Sequence, residues 1–139
     1  MDTDLALDFL AARQPMPTDD VLGEDEIRQF DAVRRHFIEH PDVRCIPLFL
    51  RSLPKGSSGY GVYQLLDDVL RVHPDAFVVD ALDEALTVEM PSHEWVLELS
   101  LEYFDRRLLA HARRYAVQGD EGEREWGRTY VELHSAENR

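Results

Sequence analysis

The tripeptide His-Pro-Asp occurs twice, at His40-Pro41-Asp42 and at His73-Pro74-Asp75, 33 residues apart. The apolar residues keep the same interval. Phe30, Val33 and Phe37 align with Tyr63, Leu66 and Leu70 ahead of the tripeptide, and Ile46, Phe49 and Leu53 align with Val79, Leu82 and Leu86 behind it. A third copy fits at an offset of 30, which maps Asp75 onto Asp105, Leu66 onto Val96, Val69 onto Leu99, and Val78-Val79 onto Leu108-Leu109. Apolar residues three and four apart mark helices, so each copy reads as helix, Asp-bearing turn, helix. One such hairpin cannot bury its stripe alone, whereas stacked hairpins bury a continuous core. The alternative is three unrelated hairpins whose stripes align by chance.

The flanks continue the pattern. Leu5, Phe9 and Ala12 predict a helix over 3–13, and Pro15, Pro17 and Gly23 break the chain after it. Residues 24–40 open on Glu24-Asp25-Glu26, which a helix dipole favours, with Ile27, Phe30, Val33 and Phe37 as the apolar face. Pro47 predicts either a kink or a helix that starts near Ile46. A loop covers 54–59, and Leu65, Leu66, Val69 and Leu70 make 60–73 helical. Phe77, Val78, Leu82 and Leu86 continue on the next helix. Pro91-Ser92 opens another, with Trp95, Val96 and Leu99 on its face. Asp105 caps the helix that carries Leu108, Leu109 and Ala112. Trp126, Tyr130 and Leu133 define the last one, and no segment reads as a strand. At 139 residues and 44% apolar content this is one domain with a real core. Its parts are a capping helix and linker over 1–23, hairpins over 24–54, 59–88 and 91–118, and a capping helix over 120–137.

Here the residues meet a family. Asp42-Val43-Arg44 after an amphipathic helix looks like the turn region of HEAT-type repeats. The stretch Ser58-Gly59-Tyr60-Gly61-Val62-Tyr63-Gln64-Leu65-Leu66-Asp67-Asp68-Val69-Leu70 carries the likeness further. So does Glu94-Trp95-Val96 leading to Tyr103-Phe104-Asp105-Arg106-Arg107-Leu108-Leu109. Over residues 27–135 the chain resembles small bacterial HEAT-like proteins of the immunity type, found beside polymorphic and contact-dependent toxins. The resemblance implies an all-α fold, a short right-handed stack of HEAT-like hairpins with about seven or eight helices. It also implies a non-catalytic module that binds and neutralises a cognate toxin.

Charge narrows the partners. Asp plus Glu is 28 against 15 Lys plus Arg, a net charge of −13. A phosphate backbone selects positive charge, so nucleic acid and anionic membranes are unfavourable partners, and a basic protein suits the chain. No apolar run reaches the ~20 residues that span a bilayer, and the acidic N-terminus is unlike a secretory leader, so a cytoplasmic address is expected.

Candidate chemistry is sparse, and neither catalytic residues nor a cofactor are expected. His36-Phe37-Ile38-Glu39-His40 matches H-x-x-E-H, a zinc-hydrolase spacing, but no third ligand can be assigned and His40 stands at a helix end before Pro41. A metal-dependent hydrolase through His36, Glu39 and His40 is therefore a remote alternative. Ser57-Ser58 between glycines lacks the phosphate-loop pattern. Cys45, the single cysteine, has no histidine partner at a fixed spacing and reads as a buried filler.

The repeat instead lines up polar positions of successive first helices: Asp31, Gln64 and Glu94; then Arg35, Asp68 and Glu98; then Glu39, Val72 and Glu102. Glu94, Glu98 and Glu102 form an i, i+4, i+8 carboxylate row that a helix gains nothing from locally. The candidate partner-binding set is Asp67, Asp68, Glu94, Glu98, Glu102 and Gln64, with Tyr60 and Tyr63 as aromatic anchors. Core packing is an equally open reading for the two tyrosines, and a plain solvated face is one for the acids. The second helices carry Arg51, Asp83, Glu84, Arg113 and Arg114, a mixed-sign face with no continuous positive groove for DNA. A HEAT-like adaptor for another complex is the alternative function.

Overall fold

Proline and aspartate set the helix boundaries. The computed structural model describes residues 1–18, 21–55, 62–88 and 90–135. The Asp2 carboxylate accepts the Asp4 N–H at 2.8 Å and opens α1, Thr3–Ala11. Three acids occupy the first turn of α2, Glu24–Glu39, which stops at His40 before Pro41. In α3, Cys45–Ser52, Pro47 falls in the first turn, where its missing N–H would have had no helical acceptor. Of the two readings of Pro47, helix onset beside it is the one realised. A 3-10 turn, Val62–Leu65, leads into the short α4, Leu66–Arg71. Pro74 precedes α5, Asp75–Thr87, and Ser92 precedes α6, His93–Ser100. Asp105 caps α7, Arg106–Gln118, accepting the Arg107 N–H at 2.8 Å. A reciprocal capping box between Asp120 and Glu123 opens α8, Glu121–Leu133. No strand occurs among the described residues.

The molecule is an all-α stack of hairpins. In one layer α2 packs on the 3-10 turn and α4, and α6 packs on α8; in the other α3 packs on α5 and α5 on α7. α1 closes one end against α2 and α3, and α8 lies along α7. Aromatic edges join the layers and the repeats. Phe30 meets Phe49 and Tyr63 at 5.8 and 5.2 Å between ring centroids, and Tyr63 meets Trp95 at 6.3 Å. The buried apolar residues form one cluster from Ala6 to Tyr130.

Polar side chains tie each turn to the next hairpin. His73 Nδ1–H donates to Val69 O at 2.8 Å, which leaves Nε2 to accept the Asp42 N–H at 3.2 Å. Tyr130 does the same for the third turn: its hydroxyl donates to Tyr103 O at 2.6 Å and accepts the Asp105 N–H at 3.2 Å.

Several apolar faces sit one position away from the expected register. α1 buries Ala6 and Leu10, so Leu5 is 65% exposed, and Ala12 is exposed too. Ala6 is small enough to let the helix backbone settle on its neighbours. Ile27 and Phe77, one turn or less from helix starts, are also exposed, while Phe30 and Val78 take the core positions. In α8 the buried face is Trp126, Gly127, Tyr130 and His134, and Leu133 turns outward at 60% exposure. Gly127 causes that rotation. A Cβ there would lie 2.3 Å from Ala112 O and 2.9 Å from Ala116 N, both α7 backbone atoms that cannot swing aside.

A glycine inside a helix ordinarily gains about 1 kcal/mol when replaced by alanine. Gly127→Ala is expected to do the opposite and lower stability by about 1–3 kcal/mol through overpacking. Equilibrium urea unfolding reads the sign directly, and an unchanged or raised midpoint would contradict the backbone clash.

Candidate functional site

Half of the anticipated acidic row is neutralised in place. Arg34, buried beside Val33, bonds Asp31 at 2.8 Å and reaches Asp68 of the next hairpin at 3.6 Å. Arg35 holds the other Asp31 oxygen at 2.9 Å. Arg71 stands between Asp67 at 3.0 Å, Asp68 at 3.8 Å and Glu102 at 3.2 Å. Asp67, Asp68 and Glu102 thus serve a cation ladder between repeats rather than an open anionic surface. Arg34 and Arg71 are the residues that sequence reasoning left out. Arg71 follows Asp67 at i+4, and that spacing was the available signal.

The anchors divide too. Tyr63 is in the core, its hydroxyl donating to Pro17 O at 2.6 Å, so of the two readings it takes packing. Tyr60 and the side chain of Gln64 lie outside the described residues, as do Ser57 and Ser58.

The rest of the row opens into a groove of about 800 Å³ between α6 and α8. Glu94 and Glu98 stand on the α6 side, one turn apart, and Glu121 and Glu125 on the α8 side, also one turn apart. Leu97, Leu101 and Trp126 supply apolar wall, and no described Lys or Arg lines it. Glu98, Glu121 and Glu125 form no ion pair with any described residue. Trp126 is 6% exposed, and its indole N–H has no hydrogen-bond acceptor among the described residues. His93 Nε2 and Glu123 Oε2, 2.9 Å apart, bridge α6 to α8, while Glu123 Oε1 accepts the Asp120 N–H. That bridge is shared with a second groove of about 900 Å³, where Lys55 and Arg114 make the lining mixed in sign. The α8 acids were not anticipated, because the repeat alignment compares first helices of hairpins and α8 was read only as a cap.

The second-helix face is mixed in sign, as anticipated, and its charges also pair between hairpins. Arg51 meets Glu84 at 3.4 Å, Arg107 meets Asp80 at 2.9 Å, and His111 meets Asp83 at 2.8 Å.

Nucleophilic and metal chemistry fare differently from the sequence reading in one respect. Cys45 does have a histidine beside it, since Sγ is 3.7 Å from His73 Nε2. The partner comes from the next hairpin, which no fixed local spacing reveals. Burial, reinforced by the Asp42 charge, pushes the thiol up to about 12, so at neutral pH it is a protonated filler rather than a thiolate. His36 and His40 stack at 4.8 Å, but His36 Nε2 is 2.8 Å from Thr3 Oγ1 and His40 Nδ1 is 3.3 Å from His36 O. Among the described residues no three His, Cys, Asp or Glu side chains gather to hold a metal ion. No described helix is long and apolar enough to cross a membrane.

No family model, curated protein or solved structure matches this chain. What the groove does must therefore be argued from its own residues.

Two titrations check this local chemistry. Native Cys45 is expected to resist a thiol reagent at pH 8 and to react stoichiometrically once the chain is unfolded; rapid native modification would contradict the burial. Burial, then the His40 charge, lowers the His36 pKa below its ordinary 6.5. Folding thus favours the neutral ring, and that stability is present above pH 6.5 and lost as pH falls from there through the folded pKa. NMR should show His36 titrating below 6.5. His36→Gln should flatten the acid loss of stability in the same window.

Proposed function

We propose that this chain is a non-catalytic protein-binding module that neutralises a basic partner, within the immunity class that its repeats resemble. The observation that carries the reading is the concave acidic surface between α6 and α8, where Glu98, Glu121 and Glu125, which form no ion pair with a described residue, line a groove with an apolar wall of Leu97, Leu101 and Trp126. A solvated face on an acidic protein needs no concavity, whereas an interface gains from an apolar centre with a charged rim. The excess charge of −13 adds long-range attraction for a cationic partner and speeds encounter.

The inferred partner is a basic toxin domain, such as a nuclease, whose substrate groove the acidic surface would occupy in place of a phosphate backbone. Inhibition needs only occlusion, with no bond made or broken. The inferred setting is the bacterial cytoplasm, where such a toxin would meet its inhibitor. A stacked-hairpin adaptor for a different complex is the competing reading, and the identity of the partner separates the two.

The test is binding of the purified chain to the products of its flanking genes, measured by calorimetry at ~0.1 and ~0.5 M salt. The expected outcome is a one-to-one complex with a basic, toxin-like product that is inhibited on binding, with affinity at least about tenfold lower at high salt. Failure of every flanking product to bind, or binding without inhibition, would overturn the immunity reading.

A further inference from the structure

We infer that the α6–α8 groove is an arginine receptor, built to take an arginine-bearing peptide segment of a protein partner between Glu98 and Glu125. The inference rests on the protein-binding reading above and names the chemistry of the segment that docks.

Three features of the groove select that ligand. The first is charge without competition. Six carboxylates line it, and Glu98, Glu121 and Glu125 have no described ion-pair partner, unlike the Arg71 cluster one hairpin away. The open acids stand on both walls, so a cation between α6 and α8 meets carboxylates from two sides. The second is the apolar wall of Leu97, Leu101 and Trp126. An ammonium ion is strongly hydrated and loses water there without compensation. A guanidinium is planar and more weakly hydrated, stacks on aromatic and aliphatic surface, and donates in a fork that suits a carboxylate. The third is the indole N–H of Trp126, which like that of Trp95 is covered and without an acceptor among the described residues. It belongs to a side chain of this wall, so an acceptor on the ligand meets it once the wall shifts to uncover it. A free cation supplies no acceptor, but a peptide brings a backbone carbonyl with each residue. Cation and carbonyl together describe an arginine within a polypeptide.

The spacing along the groove fits more than one arginine. Glu94 and Glu98 are four residues apart on α6, and Glu121 and Glu125 are four apart on α8. Each pair spans one helical turn, roughly 6 Å of rise. Two arginines at a similar separation would meet Glu121 and Glu125 on α8, one of them with Glu98 across the groove.

Calorimetry on the intact chain tests this with two capped peptides that alternate alanine with either arginine or lysine. The arginine peptide is expected to bind at least about fivefold more tightly than the lysine peptide, because only the guanidinium tolerates the apolar wall. Glu98→Gln/Glu125→Gln should weaken arginine binding at least about tenfold. Glu24→Gln/Glu26→Gln removes the same charge from distant α2 and should change it by less than about twofold. Equal affinity for the two peptides, equal loss in both double variants, or no binding of the arginine peptide would each overturn the receptor. Circular dichroism confirms that the variants, all at exposed or rim positions, remain folded. A flanking-gene product that binds and tolerates Glu98→Gln/Glu125→Gln would remove the groove and leave the proposed function standing. Arginine selectivity without any such product would do the reverse.

Discussion

The hydrogen bond from the Asp42 N–H to His73 Nε2 joins two hairpins at the point where the first one turns. A turn leaves backbone donors and acceptors without helical partners, and in a stack those groups become covered. Here the covering side chain is also the partner. His73 closes the first turn and Tyr130 closes the third, each from the hairpin or helix that packs on it. Turn chemistry and stacking are thus one requirement. A hairpin shifted along its neighbour would leave a part-buried amide without its partner as well as misplace its apolar stripe.

The same register organises the charges. Arg34 with Asp68, Arg71 with Glu102, Arg51 with Glu84 and Arg107 with Asp80 all pair across consecutive hairpins. Apart from the buried Arg34 these are exposed pairs, which add little stability one at a time. Together they hold four of the chain's 15 Lys and Arg between hairpins. The groove where α6 faces α8 is lined by six carboxylates and by no described Lys or Arg.

Much of the architecture was legible because period and punctuation agree. The repeated His-Pro-Asp, the acid-rich start of α2 and Asp105 ahead of α7 each mark a boundary by local chemistry, and local chemistry is what one sequence displays. Pairings between hairpins were harder to read. That Cys45 would meet His73, or that Tyr63 would send its hydroxyl to Pro17, depends on which helix settles against which. The outward turn of Leu133 depends on Gly127, whose role is visible only beside the α7 backbone. The anticipated Glu94, Glu98, Glu102 row is interrupted, because α6 ends at Ser100 and Glu102 stands in the turn beyond it. Arg34 and Arg71, whose reach exceeds one repeat, engage Asp68, Asp67 and Glu102, while Glu98 forms no ion pair with a described residue.

Helix α8 separates two duties by face. Gly127 and Tyr130 are locked to α7 and to the third turn, so they tolerate little change. Glu121 and Glu125, on the same helix, form no ion pair with a described residue, and Glu121 contributes only first-turn charge at the helix start. Substitutions there would alter the charge of the groove at a small cost to folding. Under the docking role proposed above, a lineage that tracks a changing partner would rewrite its specificity on this one helix, leaving the rest of the stack as an inherited chassis.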